Sequence, residues 1–200
     1  MTKLLIASTN RGKLREFQEI LAGEPYDLFL PADLGFALTV EETGLTYREN
    51  AALKARAFAQ ASGLITLSDD SGLEVQALGG APGLHSARYA PQTGATDADR
   101  RAYLLENLRG KPRPWLARFV CTVAIATLQG EIFFTEGECP GEIIPEERGT
   151  HGFGYDPIFY FPERGMTMAE LPPEEKNRIS HRARAVRAAV PILRQLLAKG

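Results

Sequence analysis

The chain has 200 residues, with 23 Lys and Arg against 25 Asp and Glu and a formal charge of -2. That balance gives no global attraction to nucleic acid or to an anionic membrane surface, and no apolar run approaches the ~20 residues of a membrane span. Two cysteines, Cys121 and Cys139, form neither a disulfide framework nor a zinc-ligand spacing, and Met1–Ala7 lacks a signal peptide's cleavage region, so a cytoplasmic protein is expected.

In chain order, Leu4–Ala7 reads as a buried strand. Leu14, Phe17, Ile20 and Leu21 follow at helical spacing, closed by Gly23 and Pro25. Leu28–Leu30 is a second strand. Thr46 and Glu49 make a capping box for a helix that carries Leu53, Ala57, Phe58 and Ala61 inward and stops at Gly63. Leu64–Leu67 is an apolar strand, then Ser68-Asp69-Asp70-Ser71-Gly72, then an alternating segment with Leu73, Val75 and Ala77 inward. Thr96 caps a helix containing Leu104, Leu105 and Leu108, ended by Gly110. Trp115–Leu128 and Glu131–Thr135 are strands joined by a tight Gln129-Gly130 turn. Pro173 suits a first helical turn, and Ile179, Ala183, Val186, Val190 and Leu193 mark one apolar stripe that Pro191 should kink or break. Strands alternating with helices around a hairpin imply an α/β fold on a mixed sheet, with flanking helices and a single domain over 1–200.

Four segments carry chemistry. Ser8-Thr9-Asn10-Arg11-Gly12-Lys13 lies between a strand and a helix, where backbone N–H groups and a lysine attract phosphate, although helix capping explains it equally simply. It is no P-loop, since Ala7 and Leu14 stand where that motif needs a glycine and a hydroxyl. Glu41-Glu42 and Asp69-Asp70 are paired carboxylates that repel unless a cation or proton intervenes. Magnesium, hard and oxygen-liganded, suits them, while an Asp-Ser-Gly turn is the plain structural alternative. In Gly149–Pro157, three glycines within six residues would let the backbone approach a flat ligand, with Phe153 or Tyr155 to stack on a base and Asp156 to accept from a ring N–H, while a glycine-rich aromatic loop packed against the core is the structural alternative. Finally, Lys176 and Ser180 share a helix face, with His181 and Arg182 adjacent. The segment from Lys176 to Gly200 holds seven basic residues (Lys176, Arg178, Arg182, Arg184, Arg187, Arg194, Lys199) and no acidic one, which reads mainly as a solvated face.

Together these segments resemble the inosine triphosphate pyrophosphatase family over essentially the whole chain. The resemblance runs from STNRGK through EETGLTYRENAALKA, SDDSGLEVQALGGAPGLHSARYA and GFGYDPIF to EEKNRISHRARA. It implies a twisted mixed sheet in two lobes around a central cleft, and hydrolysis of non-standard purine triphosphates (dITP, ITP, XTP) to the monophosphate and pyrophosphate. It further implies a magnesium cofactor, a homodimer, and neither nucleic-acid nor membrane partners. By resemblance, Ser8, Thr9, Asn10, Arg11, Gly12, Lys13 and Lys54 hold phosphates, and Asp70 is the general base and a metal ligand. Glu41 is the second ligand, with Glu42 beside it leaving that position ambiguous. Ser71, Phe153, Gly154, Tyr155, Asp156, Lys176, His181 and Arg182 complete the substrate site. Donors from His181 and Arg182 aimed at the oxygen on position 6 would reject adenine, a discrimination worth roughly 10⁴-fold when polar groups are left mispaired. The rival readings are a pyrophosphatase for other modified nucleotides, a nucleic-acid module using the basic C-terminal helix, and a γ-phosphate NTPase.

Overall fold

The computed structural model describes residues 2–35 and 37–198, so Lys199 of the basic segment lies outside the described residues. Strand β1 (Thr2–Ile6) leads into helix α1 (Arg11–Ile20) and strand β2 (Tyr26–Phe29). β1 pairs in parallel with β2, Leu4 opposite Leu28, and with β3, Leu4 opposite Ile65. Helix α2 (Tyr47–Ser62) begins at Thr46, where the capping box with Glu49 forms as read, and ends at Gly63 in the left-handed conformation. Helix α3 (Asp97–Leu108) opens with a second capping box between Thr96 and Asp99. Strands β4 (Trp115–Ala126) and β5 (Ile132–Ile143) form the expected hairpin, closed by Thr127 N donating to Glu131 O at 3.0 Å. Two short strands, β6 (Phe159–Phe161) and β7 (Met166–Thr167), add to β5 in antiparallel order. The result is a mixed seven-stranded sheet of order β2-β1-β3-β4-β5-β6-β7 with flanking helices. No helix among the described residues is long and apolar enough to cross a membrane.

Three expectations need correction. The Ser68-Asp69-Asp70-Ser71-Gly72 segment is no turn: β3 runs unbroken from Ile65 to Val75, so both aspartates sit within an extended strand. The inward face of α2 is not the predicted one. Leu53 is 38 % exposed and Ala61 is exposed, while Asn50, Ala51, Ala55 and Ala59 are buried with Phe58. The alanines pack against Ala124 and Ala126 of β4, so the face is chosen by how closely the helix approaches the sheet rather than by its largest side chains. The C-terminal stripe is divided between two helices, α4 (Pro173–Ile179) and α5 (His181–Leu197), and the break falls at Ser180, whose ψ of 157° is extended. Pro191 lies inside α5 without ending it. It is on the exposed side of the helix, as is Arg187 one turn earlier.

The chain divides into two compact units, and β3, β4 and β5 each contribute residues to both. The first is drawn from Met1–Asp70, Cys121–Gly137 and His181–Gly200. Alternation along its strands sorts the core onto two sheet faces. Leu4, Ile6, Leu67, Val123 and Ile125 meet Phe17 of α1 and Val186 and Leu193 of α5, whereas Leu5 and Ala7 meet Phe58 of α2. The second unit, Ser71–Val120 and Glu138–Ser180, is built on Leu73, Val75, Leu104, Leu108, Trp115, Phe119, Ile143, Phe159 and Leu171, with Ile179 of α4 packed against them. In the first unit, a Cβ at Gly137 of β5 would sit 2.6 Å from the backbone nitrogen of Ala185 and collide with the carbonyl oxygen of His181. Gly137→Ala is therefore expected to destabilise the protein by about 3 kcal/mol, measured by urea denaturation against wild type.

Candidate active site

Neighbouring side chains on an extended strand point to opposite faces, and β3 applies this to two adjacent carboxylates. Asp69 faces the side covered by α1 and α5. Its Oδ2 accepts from Arg182 Nε at 3.2 Å and Nη2 at 3.1 Å, and pairs with Lys13 Nζ at 3.0 Å; Cys121 Sγ is at 3.9 Å. Arg182 extends its other terminal nitrogen, Nη1, to Glu16, and this guanidinium is 2 % exposed. Burial alone would raise the Asp69 pKa, but Lys13, Arg182 and Lys54 outweigh it and hold the carboxyl far below the usual range. The same burial, with the Asp69 charge, pushes the Cys121 thiol well up, so it stays protonated and inert.

Asp70 faces α2. Asn50 Nδ2 donates to its Oδ2 at 3.1 Å, and Lys54 Nζ is 3.9 Å from its Oδ1. Lys54 also donates to Glu42 Oε1 at 2.7 Å and to the backbone carbonyl of Asp69 at 2.7 Å. Burial lowers the tendency of Lys54 to hold its proton, yet Asp69, Asp70 and Glu42 together raise its pKa above the ordinary value. Asp70 is shifted the opposite way from Asp69: burial raises its pKa, and the Glu42 charge adds to that against the pull of Lys54, Lys13 and Asn50. Of the acidic pair, then, Glu42 is the one beside Lys54, and Glu41 is exposed. The loop carrying them is tied down by Asn50 Oδ1, which accepts from Gly44 N at 2.8 Å; a Cβ at Gly44 would lie 2.7 Å from that oxygen.

The Ser8–Lys13 segment opens α1. Asn10 is its N-cap, accepting from Gly12 N at 2.9 Å and Lys13 N at 3.2 Å, while Ser8 Oγ accepts from Asn10 N at 3.2 Å. The capping explanation thus accounts for the Asn10 carbonyl oxygen and for two of the amides. Thr9 and Arg11 are exposed beside them, and the Lys13 ammonium reaches Asp69.

In the second unit, the glycine-rich loop is held from within. Asp156 Oδ2 accepts from Phe153 N at 2.9 Å and from Lys176 Nζ at 2.6 Å, and Lys176 Nζ stands 4.8 Å from the centre of the Phe153 ring. Gly152, at φ +76°, has no room for a side chain because its Cβ would overlap the Asp156 carboxylate. Gly154 N donates to Asp97 Oδ2 at 2.8 Å, and Gly154 O accepts from Arg101 at 2.8 Å. Tyr155 is not placed to stack on a ligand: its ring is buried in the core and its hydroxyl donates to Ser86 O at 2.9 Å. Phe153 is half-buried. Ser71 belongs to this unit, whereas His181 and Arg182 open α5 in the first. The Arg182 guanidinium, engaged by Asp69 and Glu16, is a buried anchor, a different task from reading a base.

Sequence reasoning left Glu16, Asn50, Asp97 and Arg101 out of the site residues it named, and left Glu42 open as the alternative to Glu41. Glu16 and Asn50 did carry a signal, since each is a polar residue on the inward face of its helix, where burial demands a partner. Arg182→Met, which takes the guanidinium away from the buried carboxylates of Asp69 and Glu16, is expected to cost about 3–5 kcal/mol by urea denaturation. Because the native Asp69 pKa is depressed, its stabilisation is fully present above the unfolded value of 3.8 and is lost as pH falls below it. Asp69→Asn should therefore flatten the loss of stability on acidification below about pH 4, measured by denaturant midpoints across pH.

Known proteins match the chain along its length. The model of the Ham1 family covers residues 4–192. A dITP/XTP pyrophosphatase of Listeria monocytogenes is 46 % identical over 200 residues, spanning 100 % of this chain and 98 % of that protein. Among solved structures, a HAM1 protein from Coxiella burnetii superposes with a TM-score of 0.87 at 41 % identity, over 98 % of this chain and 100 % of the other. A nucleoside-triphosphatase or dITP/XTP pyrophosphatase from Mycobacterium abscessus gives 0.74 at 41 % identity, over 95 % and 100 %. With nearly every residue matched in sequence and fold, the chain belongs to the Ham1 family.

Proposed function

We propose that the protein hydrolyses non-standard purine nucleoside triphosphates (dITP, ITP and XTP) to the monophosphate and pyrophosphate; its relatives are named dITP/XTP pyrophosphatases. The observation that carries this reading is Asp70: a buried carboxylate with raised proton affinity, next to the Lys54 ammonium and within the field of Lys13. A general base gains strength as its pKa rises, and a triphosphate needs cations before any bond breaks. Asp70 accepts the proton of the attacking water, which adds to the α-phosphorus as pyrophosphate leaves. Lys13 and Lys54 neutralise the phosphate tail, with the positive N-terminal end of α1 and the side chains of Ser8, Thr9 and Arg11 beside them.

The donor set suits magnesium. Asp70 and a carboxylate of the Glu41-Glu42 pair would hold it, and Glu42, sharing Lys54 with Asp70, is the better supported of the two. Among the described residues no three His, Cys, Asp or Glu cluster as a cage. That fits a cation whose remaining ligands are water and substrate phosphate. Bound there, magnesium supplies charge neutralisation at the phosphates and acidification of water.

For the purine we assign residues of the second unit: Phe153 to stacking, and Lys176, Asp156 and Gly154 to its polar edges. We assign residues 1–200 to a single pyrophosphatase domain acting in the cytoplasm as a homodimer. Asp70→Asn should lose at least about 10²-fold in kcat while nucleotide binding, followed by calorimetry, changes little. Lys13→Ala should raise KM steeply by removing a phosphate counter-charge. A panel of dITP, ITP, XTP, GTP and ATP with Mg²⁺, assayed separately for pyrophosphate and orthophosphate, tests the whole reading. Release of orthophosphate, or equal turnover of ATP, would refute it.

A further inference from the structure

The Lys54 ammonium sits among three oxygens contributed by two carboxylates and a backbone carbonyl: Glu42 Oε1 at 2.7 Å, Asp69 O at 2.7 Å and Asp70 Oδ1 at 3.9 Å. This is an all-oxygen environment of the kind a hard divalent cation prefers, and it is filled by a cation of the protein's own. The side chain reaches it from the middle of α2, with Asn50 one turn earlier donating to the same Asp70. Lysine is an unusual choice for a fixed structural pair here, since its flexible stem and point charge make it easy to redirect. A triphosphate would offer that ammonium an alternative set of oxygens.

We propose that Lys54 is a built-in competitor of the metal: in the nucleotide-free enzyme it neutralises Glu42 and Asp70, and it releases them only when phosphate oxygens draw it away. Divalent cation and nucleotide therefore enter together, and the cation alone binds weakly. The electrostatic basis is direct. A positive charge about 4 Å from a ligating carboxylate repels an incoming dication, and in a partly buried site this repulsion is only partly screened. The carboxylates would otherwise repel each other, so the lysine also keeps the site assembled while it waits. This inference rests on the metal-assisted reading above.

The test is Mn²⁺ binding to nucleotide-free protein, followed by the electron paramagnetic resonance signal of the free ion and by calorimetry, with no turnover involved. Lys54→Gln and Lys54→Met, checked for folding by circular dichroism and thermal melting, are expected to bind Mn²⁺ at least about tenfold more tightly than wild type. Adding Asp70→Asn to either should abolish the gain. If the lysine variants bind no more tightly while Asp70→Asn still weakens Mn²⁺ binding, the competition is refuted and the metal site stands. If Asp70→Asn has no effect in any background, the metal site itself fails and the competition with it. Should neither lysine variant fold, wild type decides alone: millimolar or weaker Mn²⁺ affinity supports the competition, and micromolar affinity overturns it.

Discussion

The structure turns on one buried carboxylate. Asp69 lies on a strand in the interior of the first unit, where an isolated charge would be intolerable, and it is compensated by Arg182 and Lys13, with Glu16 completing the set on the far side of the guanidinium. Two positive and two negative groups thus join α1, β3 and α5 at a single point. Hydrophobic packing of Phe17, Leu67 and Val186 brings those elements together, but it specifies no angular register. The charged cluster does, because each partner is costly when left alone.

Anchoring Asp69 on one face of the sheet fixes what its neighbour can do on the other. Asp70 must project towards α2, where the Asn50 amide donates to it and the Lys54 ammonium stands at longer range. The two aspartates have nearly the same chemistry and opposite fates. Asp69, enclosed by cations, is a permanently ionised support. Asp70, desolvated and close to Glu42, holds its proton more readily than a free carboxylate. Asn50 links this face to the acidic loop through Gly44, so the position of Glu42 and the position of Asp70 are set by one side chain.

The second unit follows a related logic with a different balance. Its glycine-rich loop is curled around Asp156, whose carboxylate takes the amide of Phe153 and the ammonium of Lys176. Tyr155 roots the loop in the apolar core, and Asp97 and Arg101 of α3 hold Gly154 from both its amide and its carbonyl. Phe153 is consequently left half-buried with a cation near its face, a surface suited to a flat, electron-rich ring. The glycines contribute by giving way: any side chain at Gly152 would occupy the place of the Asp156 carboxylate.

The sequence by itself determined the longer helices and most of the longer strands, the capping box at Thr46 and the cap at Thr96, the hairpin, and the segments that carry charge, because capping and periodicity are local and depend on neighbours a few residues apart. Only the tertiary structure decided three things. It made Ser68–Gly72 a strand rather than a turn, since the place of β3 inside the sheet, between β1 and β4, overrides the local preference of Asp-Ser-Gly. It chose an alanine face for α2 because helix and sheet approach closely there. And it divided the labour between Asp69 and Asp70, which are chemically alike and adjacent in the chain, and which become different only through partners that lie as far away in sequence as Arg182.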